Sequence, residues 1–378
     1  MSSGGSTGAK RRIGVGIVGC GGIAQSHAAA LKRLEEGGEC TVIGCADLVE
    51  EKAKGLAEKF QIPNWFTDAR TLIEHPQVEA ITVCTNPPFH VPATLMATAL
   101  GKHTIVEKPM TMDLAQADLA IEATRKANVR FGVIFMRRFW PGAQRARKAI
   151  DDGKLGSRLI VGDCILKWTR RKEYYKDPWR GMWEGEYGAA LVNQAVHALD
   201  MFLWLMAPAG QLETVYGKWA NLTHTNVIEA EDTAVAALRW ANGALGVMSV
   251  TISADPQLGA RISVTGDNGA TVSVTEHPEG RFGLNDVWTV PGEEEAMKAI
   301  YERDQTEALQ HFKPFPIAHY WQLQEFLAAV REGRDPAVTG EEGRRSIELI
   351  EAIRLSTDSG AEIKLPLKTS SWVPPTKR

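Results

Sequence analysis

Short runs of consecutive apolar residues alternate with amphipathic stretches through the first third of the chain. The runs cover residues 13–18, 40–46, 80–84, 104–106 and 129–135. Uninterrupted apolar runs of this length predict strands buried on both faces, as in a parallel sheet. Between them, the spacing of apolar positions predicts helices over 23–34, 50–60, 91–100 and 114–127. This βαβ alternation predicts a doubly wound Rossmann domain over residues 11–136.

Beyond residue 136 the pattern changes. An amphipathic helix is predicted over 141–152. Strand-like runs follow at 158–168, 213–221, 233–240, 244–253, 260–265 and 270–275, and Asp267-Asn268-Gly269 is a hairpin turn between the last two. Strands without intervening helices predict a large, mostly antiparallel sheet. Helices are predicted over 317–331 and 341–356, and Leu365-Pro366-Leu367 as a last edge strand. Residues 137–378 therefore read as a C-terminal α+β domain, making the chain α/β with two domains. Its 378 residues suit two domains better than one.

Composition narrows the class. The chain is 44% hydrophobic and 24% charged, as a globular protein should be. A net charge of -3 gives no electrostatic case for nucleic acid or an anionic membrane. No apolar run is expected to reach transmembrane length. The Gly/Ser-rich residues 1–10 predict a disordered tail. Arg11-Arg12 resembles a twin-arginine signal, but five glycines break the apolar run behind it, and a nucleotide-binding strand explains it better. Five cysteines without CxxC spacing suit a reducing cytoplasm, and no metal-binding spacing occurs, so no metal is expected.

The candidate chemistry begins at the first strand exit. Gly19-Cys20-Gly21-Gly22-Ile23-Ala24 fits GxGxx(G/A) between strand and helix. Gly19 permits the tight turn, Gly21 lets the backbone approach a pyrophosphate, and Ala24 allows close helix packing. The second strand ends on Asp47, about 20 residues on, where a carboxylate binds the ribose hydroxyls. It would repel a 2′-phosphate, and Leu48-Val49 offer no cation for one, so NAD is favoured over NADP. Asp47 as a cap of the next helix is the bland alternative. Thr85 and Asn86, in a loop running to His90, fit either hydrogen bonds to the cofactor or an Asx-type turn. Glu107-Lys108-Pro109 ends another strand at the same sheet edge, where open α/β sheets bind ligands, although a solvated pair is also common there.

A second constellation runs from Trp168 to Trp204. Tyr174, Tyr175, Trp179, Trp183 and Tyr187 concentrate here, and aromatic faces suit either sugar rings or an ordinary core. A helix is predicted over 189–206. At about 3.6 residues per turn, Asn193, His197, Asp200 and Trp204 share one face, while the other faces are apolar. Buried Asn, His and Asp are costly unless paired or lining a polar cavity, so this face is a candidate proton-transfer site.

The order of these segments, from GCGGIA through Asp47, Thr85-Asn86-Pro87 and Glu107-Lys108-Pro109 to YGAALVNQAVHALDMFLWL, resembles the glucose–fructose oxidoreductase/inositol dehydrogenase family. The resemblance covers residues 12 to about 367. It implies a two-domain NAD-dependent dehydrogenase of sugars, glycosides or polyols with an open-faced second sheet, and a homodimer or homotetramer is expected to cover that face. It places Lys108 between substrate hydroxyl and nicotinamide. It puts the loop Trp179-Arg180-Gly181-Met182-Trp183-Glu184 near both ligands. The implied cofactor residues are Gly19, Gly21, Gly22, Ile23, Ala24, Asp47, Thr85, Asn86, His90, Glu107, Lys108, Trp179 and Arg180. The implied substrate residues are Lys108, Tyr174, Arg180, Trp183, Asn193 and His197. Two departures stand out: Glu186-Tyr187-Gly188 replaces a usual Gly-Gly-Gly, and Asn193 stands where Asp is frequent. With the acid missing, His197 is the expected general base, Lys108 the donor to the developing alkoxide, and Asn193 the residue orienting the hydroxyl. The same residues would serve a glycosidase or lyase that uses NAD for transient oxidation. A non-catalytic NAD sensor has less need of them.

Overall fold

The computed structural model describes residues 11–277, 282–310 and 315–375. The tail expected over 1–10 lies outside the described residues. The elements of the N-terminal part are β1 (Ile13–Val18), α1 (Ala24–Glu36), β2 (Cys40–Ala46), α2 (Glu50–Phe60), β3 (Trp65–Phe66), α3 (Ala69–Glu74), β4 (Ala80–Val83), α4 (His90–Ala99), β5 (His103–Val106), α5 (Leu114–Lys126) and β6 (Phe131–Val133). They build a six-stranded sheet in the order β3-β2-β1-β4-β5-β6, parallel throughout. β1 is buried along its whole length, as its unbroken apolar run requires. The strand order reverses between β1 and β4, and a crevice opens there at the carboxyl ends. β3 and α3 were not legible as elements. Their one local signal is Asp68, whose carboxylate accepts from Thr71 N–H (2.9 Å) and caps α3.

The C-terminal part contains α6 (Pro141–Asp151), β7 (Leu159–Lys167), α7 (Val196–Met206), β8 (Leu212–Ala220), β9 (Thr233–Trp240), β10 (Leu245–Thr251), β11 (Gly259–Gly266), β12 (Thr271–Glu276), α8 (Glu294–Gln310), α9 (Phe315–Glu332), α10 (Gly340–Ser359) and β13 (Ile363–Lys364). The second sheet has the order β12-β11-β7-β10-β9-β8-β13. Its pairs are antiparallel except β7 with β10, which run parallel. The last strand is Ile363–Lys364 rather than Leu365–Leu367, and only Leu365 N–H continues the pairing, to Glu213 O. α7 crosses the inner face. An added Cβ on Gly162 would stand 2.7 Å from the Phe202 ring, so glycine is what admits the helix there. The outer face keeps the strict alternation of a one-sided sheet and leaves Ile165, Val235, Val247 and Tyr216 exposed.

α9 and α10 return to the first sheet. Gln322 Nε2 donates to Val133 O (2.7 Å), Val133 N–H donates to Val338 O (3.3 Å), and Arg331 pairs with Glu39. The boundary at residue 136 is therefore one of sequence, not of space, for these two helices.

The helix expected over 189–206 is not uniform. Residues Ala190–Ala195 form a π-helical turn before α7 begins. The segment Ala190–Ala209 is long and apolar enough to cross a membrane by length and composition, contrary to the expectation that no run reaches that size. Its apolar window is 78% buried inside the protein, which makes it a core helix.

The face of this helix divides. Asp200 turns away from the cleft and accepts two hydrogen bonds from Arg138, at 2.8 and 2.6 Å, and Arg138 also reaches Glu342 (2.6 Å). Trp204 packs under Arg138 and Arg147. Both partners of the Arg138–Asp200 pair are almost fully enclosed. Removing one partner of such a pair strands the other charge, at a cost of about 3–5 kcal/mol. Asp200→Ala is thus expected to lower the unfolding free energy in urea by about that amount.

Candidate functional site

A cleft of about 410 Å³ opens at the carboxyl edge of the first sheet and runs to the start of α7. Gly21, Gly22 and Ile23 line one end. Gly19 makes the turn that leads there, at φ +90°, and a Cβ on it would stand 2.8 Å from the Cys84 backbone. A Cβ on Gly21 or Gly22 would meet nothing within 4 Å. The turn therefore offers bare backbone to open space before the N-terminus of α1, an arrangement that receives phosphate. Ala24 is buried behind it against the core. Asp47 accepts from Cys20 N–H (2.8 Å) and Val49 N–H (2.9 Å), which fixes its carboxylate beside the turn. The helix cap is Val49, so Asp47 is not the cap of α2.

Thr85 and Asn86 also line this part of the cleft. Asn86 makes no side-chain cap, and Thr85 Oγ1 is buried without a protein partner. An orphaned hydroxyl beside an open glycine turn fits a bound dinucleotide better than a turn-closing role. His90 does not line the cleft. Its imidazole is buried between Thr85 O and Pro109 O, at 2.8 Å from each, and clamps the two loops together. Burial lowers its pKa, against the pull of the two carbonyl contacts. This corrects the direct cofactor contact implied for His90.

The two charged residues that follow β5 both line the cleft but take different partners. Glu107 turns inward to His27 Nε2 (2.9 Å) and His319 Nε2 (3.4 Å). Among the described residues these three gather possible metal-ligand atoms within 4.8 Å, and His27 Nε2 is hydrogen-bonded to Glu107 Oε1 (2.9 Å). Burial opposes ionisation of Glu107, yet hydrogen bonds from His27 and His319 hold its carboxyl well below the usual range. Lys108 turns into the cleft, where Nζ donates to Asn193 O (3.2 Å) and Asn193 Oδ1 (3.3 Å). Burial lowers its pKa, helped by Arg137 and Arg180 and opposed by Glu107 and Glu186.

Asn193 comes from the π-helical turn. The turn's first amides are held by Glu231, whose Oε1 accepts from Leu191 N–H (2.9 Å) and Ala189 N–H (3.3 Å). Asn193 Nδ2 donates to the Tyr174 hydroxyl (3.0 Å) and to Glu186 Oε1. With Lys108 on Oδ1, one acceptor lone pair remains. Asn193 therefore orients Lys108 first, where the sequence suggested that it orients the substrate hydroxyl directly. His197 lines the cleft one turn on, and its Nδ1 has no protein partner. Burial, with Arg137 and Lys108 nearby, holds its pKa well below the ordinary histidine value.

Tyr174, Trp179 and Arg180 line the opposite wall. Arg180 lies over both the Tyr174 and Trp179 rings and donates to the Tyr174 hydroxyl (2.9 Å). Trp183 does not reach the cleft: it is buried against Trp219, Trp372 and Arg354. This corrects the substrate role implied for it. Sequence reasoning missed Arg137, Arg170, Gln194 and Glu186, all of which line the cleft. Nothing in their local spacing singles them out. Only Glu186 carried a signal, as an acid standing where glycine is usual. At the neighbouring position Tyr187 keeps a left-handed backbone, at φ +62°.

Residues 13–135 match the model described as "Oxidoreductase family, NAD-binding Rossmann fold", and residues 147–365 match "Oxidoreductase family, C-terminal alpha/beta domain". A myo-inositol 2-dehydrogenase of Thermotoga maritima is 26% identical over 359 residues, covering 93% of this chain and 98% of its own. An NAD⁺-dependent scyllo-inositol 2-dehydrogenase of Bacillus subtilis is 23% identical, covering 95% and 98%. The WlbA dehydrogenase of Bordetella pertussis, solved with NADH and UDP-GlcNAcA, superposes with a TM-score of 0.83 at 30% identity, covering 95% of this chain and 99% of its own.

The open space at Gly21 gives a clean test. Gly21→Val adds a branched side chain where the fold meets no obstacle, so the melting temperature should stay within about 3 °C of the parent. NAD affinity, measured by calorimetric titration, should fall at least about tenfold, because the side chain occupies the path of the pyrophosphate.

Proposed function

This chain belongs to the glucose–fructose oxidoreductase/inositol dehydrogenase family of oxidoreductases, and on that premise we propose that it oxidises a secondary alcohol of a sugar, glycoside or cyclitol with NAD. The observation that carries the reading is the continuity of the cleft, from the open glycine turn past Lys108 to Asn193 and His197. Bound NAD supplies the chemistry of accepting a hydride. The chain's own residues must hold the alcohol and take its proton.

Lys108 is the better base. Its depressed pKa makes a neutral amine accessible, and Asn193 fixes that amine at the cleft. His197, expected from sequence to be the base, is too strongly disfavoured as a cation for that task. As a residue lining the cleft beside Lys108 and Asn193, it fits a hydrogen-bonding role toward the substrate hydroxyl. Arg180 and Tyr174 form a wall suited to a sugar ring.

Among such alcohols, an anionic sugar is favoured. Arg170 and Arg180 both line the cleft, and planar guanidinium groups suit carboxylate or phosphate. The sugar nucleotide in the WlbA complex carries such groups, which supports the same reading. The exposed apolar outer face of the second sheet supports self-association, and the cysteines remain free, in keeping with a reducing compartment. Transient oxidation followed by elimination is the competing chemistry, and none of the three relatives named above is a glycosidase or lyase.

The test is NADH absorbance with NAD and a panel of inositols, hexoses, glycosides, uronates and sugar nucleotides, with mass analysis of products. NADH should accumulate with one alcohol class. Substrate loss without net NADH would transfer the reading to elimination. In the active assay, Lys108→Ala is expected to cut kcat at least about a thousandfold with NAD affinity changed little. His197→Ala is expected to cost about ten- to a hundredfold, and a loss as large as that of Lys108→Ala would return the base role to His197.

A further inference from the structure

The carboxylate of Glu186 has no part in the reading above, although it lines the same cleft and is only 4% exposed. Its Oε2 accepts from Gly181 N–H (2.6 Å) and its Oε1 accepts from Asn193 Nδ2. Asn193 Oδ1 in turn accepts from Lys108 Nζ. A single amide thus joins a buried carboxylate to the amine. An amide has one donor end and one acceptor end. With its nitrogen tied to Glu186, its oxygen must face Lys108.

This chain of contacts accounts for Asn at position 193. A carboxylate there would abut Glu186, and two acids in contact cannot both ionise. The negative charge has moved one residue back from the reacting centre, and the asparagine transmits its orientation.

Resting on the dehydrogenase reading of this cleft, we propose that Glu186 is the positioning residue for Lys108: through Asn193 it aims the amine, and its negative charge stabilises the ammonium formed in alcohol oxidation. In that step the alcohol carbon loses a hydride to the cofactor and the hydroxyl loses its proton to Lys108 Nζ. The carbonyl forms, two electrons leave with the hydride, and Lys108 ends as the ammonium. Glu186 is unchanged throughout.

The charges around Glu186 are few. Arg180 lies 3.8 Å away, Lys108 is beyond Asn193, Glu231 lies behind the π-helical turn, the Tyr174 hydroxyl accepts from the same Asn193 amide, and the buried Tyr175 hydroxyl feels the Glu186 charge. Burial pushes the Glu186 carboxyl up to about 7, against the Gly181 hydrogen bond, Arg180 and Lys108, while Glu231 adds to the rise. Its charge is therefore carried above neutral pH, the range in which a lysine amine becomes available.

The sign of the effect is definite. A nearby negative charge raises a lysine pKa, so its removal must lower that of Lys108, by about one unit for a partner two hydrogen bonds away. The readout is competitive trace acetylation of the cofactor-free protein from pH 6 to 11, following the peptide that carries Lys108 by mass spectrometry. In Glu186→Gln the Lys108 midpoint should fall by about one pH unit. In Glu186→Asp, which keeps the charge, it should remain near the parent value. An unchanged midpoint in Glu186→Gln overturns the inference. So does an equal shift in both variants, because packing rather than charge would then be the cause. In turnover, Glu186→Gln should move the acid limb of kcat/KM to lower pH by the same amount. If the labelling shift appears but the parent oxidises no alcohol, the link between the two residues stands and the dehydrogenase reading falls.

Discussion

A carboxylate buried at the meeting of three elements governs this structure. Glu107 stands at the end of β5, and its ionised form needs partners that water cannot supply there. His27 of α1 and His319 of α9 provide them, and Lys108 N–H adds a third contact at 3.1 Å. His27 is itself fixed by Thr82 of β4, at 2.8 Å. One charge therefore ties β4, β5 and α1 to a helix that arrives almost at the end of the chain. Because Glu107 is held inward, the next residue is turned outward, and Lys108 is delivered to the cleft. The placement of Lys108 and the join between the two halves of the sequence rest on the same carboxylate.

The cleft has a consistent electrostatic logic. Burial and neighbouring cations make both Lys108 and His197 reluctant to hold a proton. Glu107 and Glu186 pull Lys108 the other way, so it remains able to accept one. At His197, Glu107 also pulls upward, but burial, Arg137 and Lys108 outweigh it and hold the pKa well below the ordinary value. Two nitrogen groups on the same wall thus differ in their readiness to hold a proton through their surroundings alone. Arg170 and Arg180 add a cationic wall, and Arg180 also contributes to the lowered pKa of Lys108. Their stacking on Trp168, Tyr174 and Trp179 keeps the guanidinium groups in place.

The π-helical turn before α7 connects packing to chemistry. α7 is pressed onto the second sheet by Phe202 and Met206, close against Gly162. Its start is fixed independently by the Glu231 carboxylate, which Arg354 approaches at 3.6 Å. A widened turn lies between these two anchors and carries Asn193 to Lys108. Such turns recur at functional sites because they displace a side chain without ending the helix.

The sequence by itself determined the architecture and half of the site. Apolar runs of period zero announce strands buried on both sides, and alternating runs announce a one-sided sheet, because burial is a property of each face. β1, β2, α2 and β9 fall at their expected bounds for that reason. Gly19, Gly21 and Lys108 were legible because a turn, an open backbone and a strand exit are local features. The tertiary structure decided the rest. Asp200 lies on the same helix as His197, yet a buried arginine from another segment claims it. Trp183 sits in an aromatic-rich loop beside the cleft but packs into the core. Glu186 and His319 join the cleft only through partners distant in sequence. A side chain's charge state depends on its desolvation and on every charge that folding brings near it, and neither is written in local spacing.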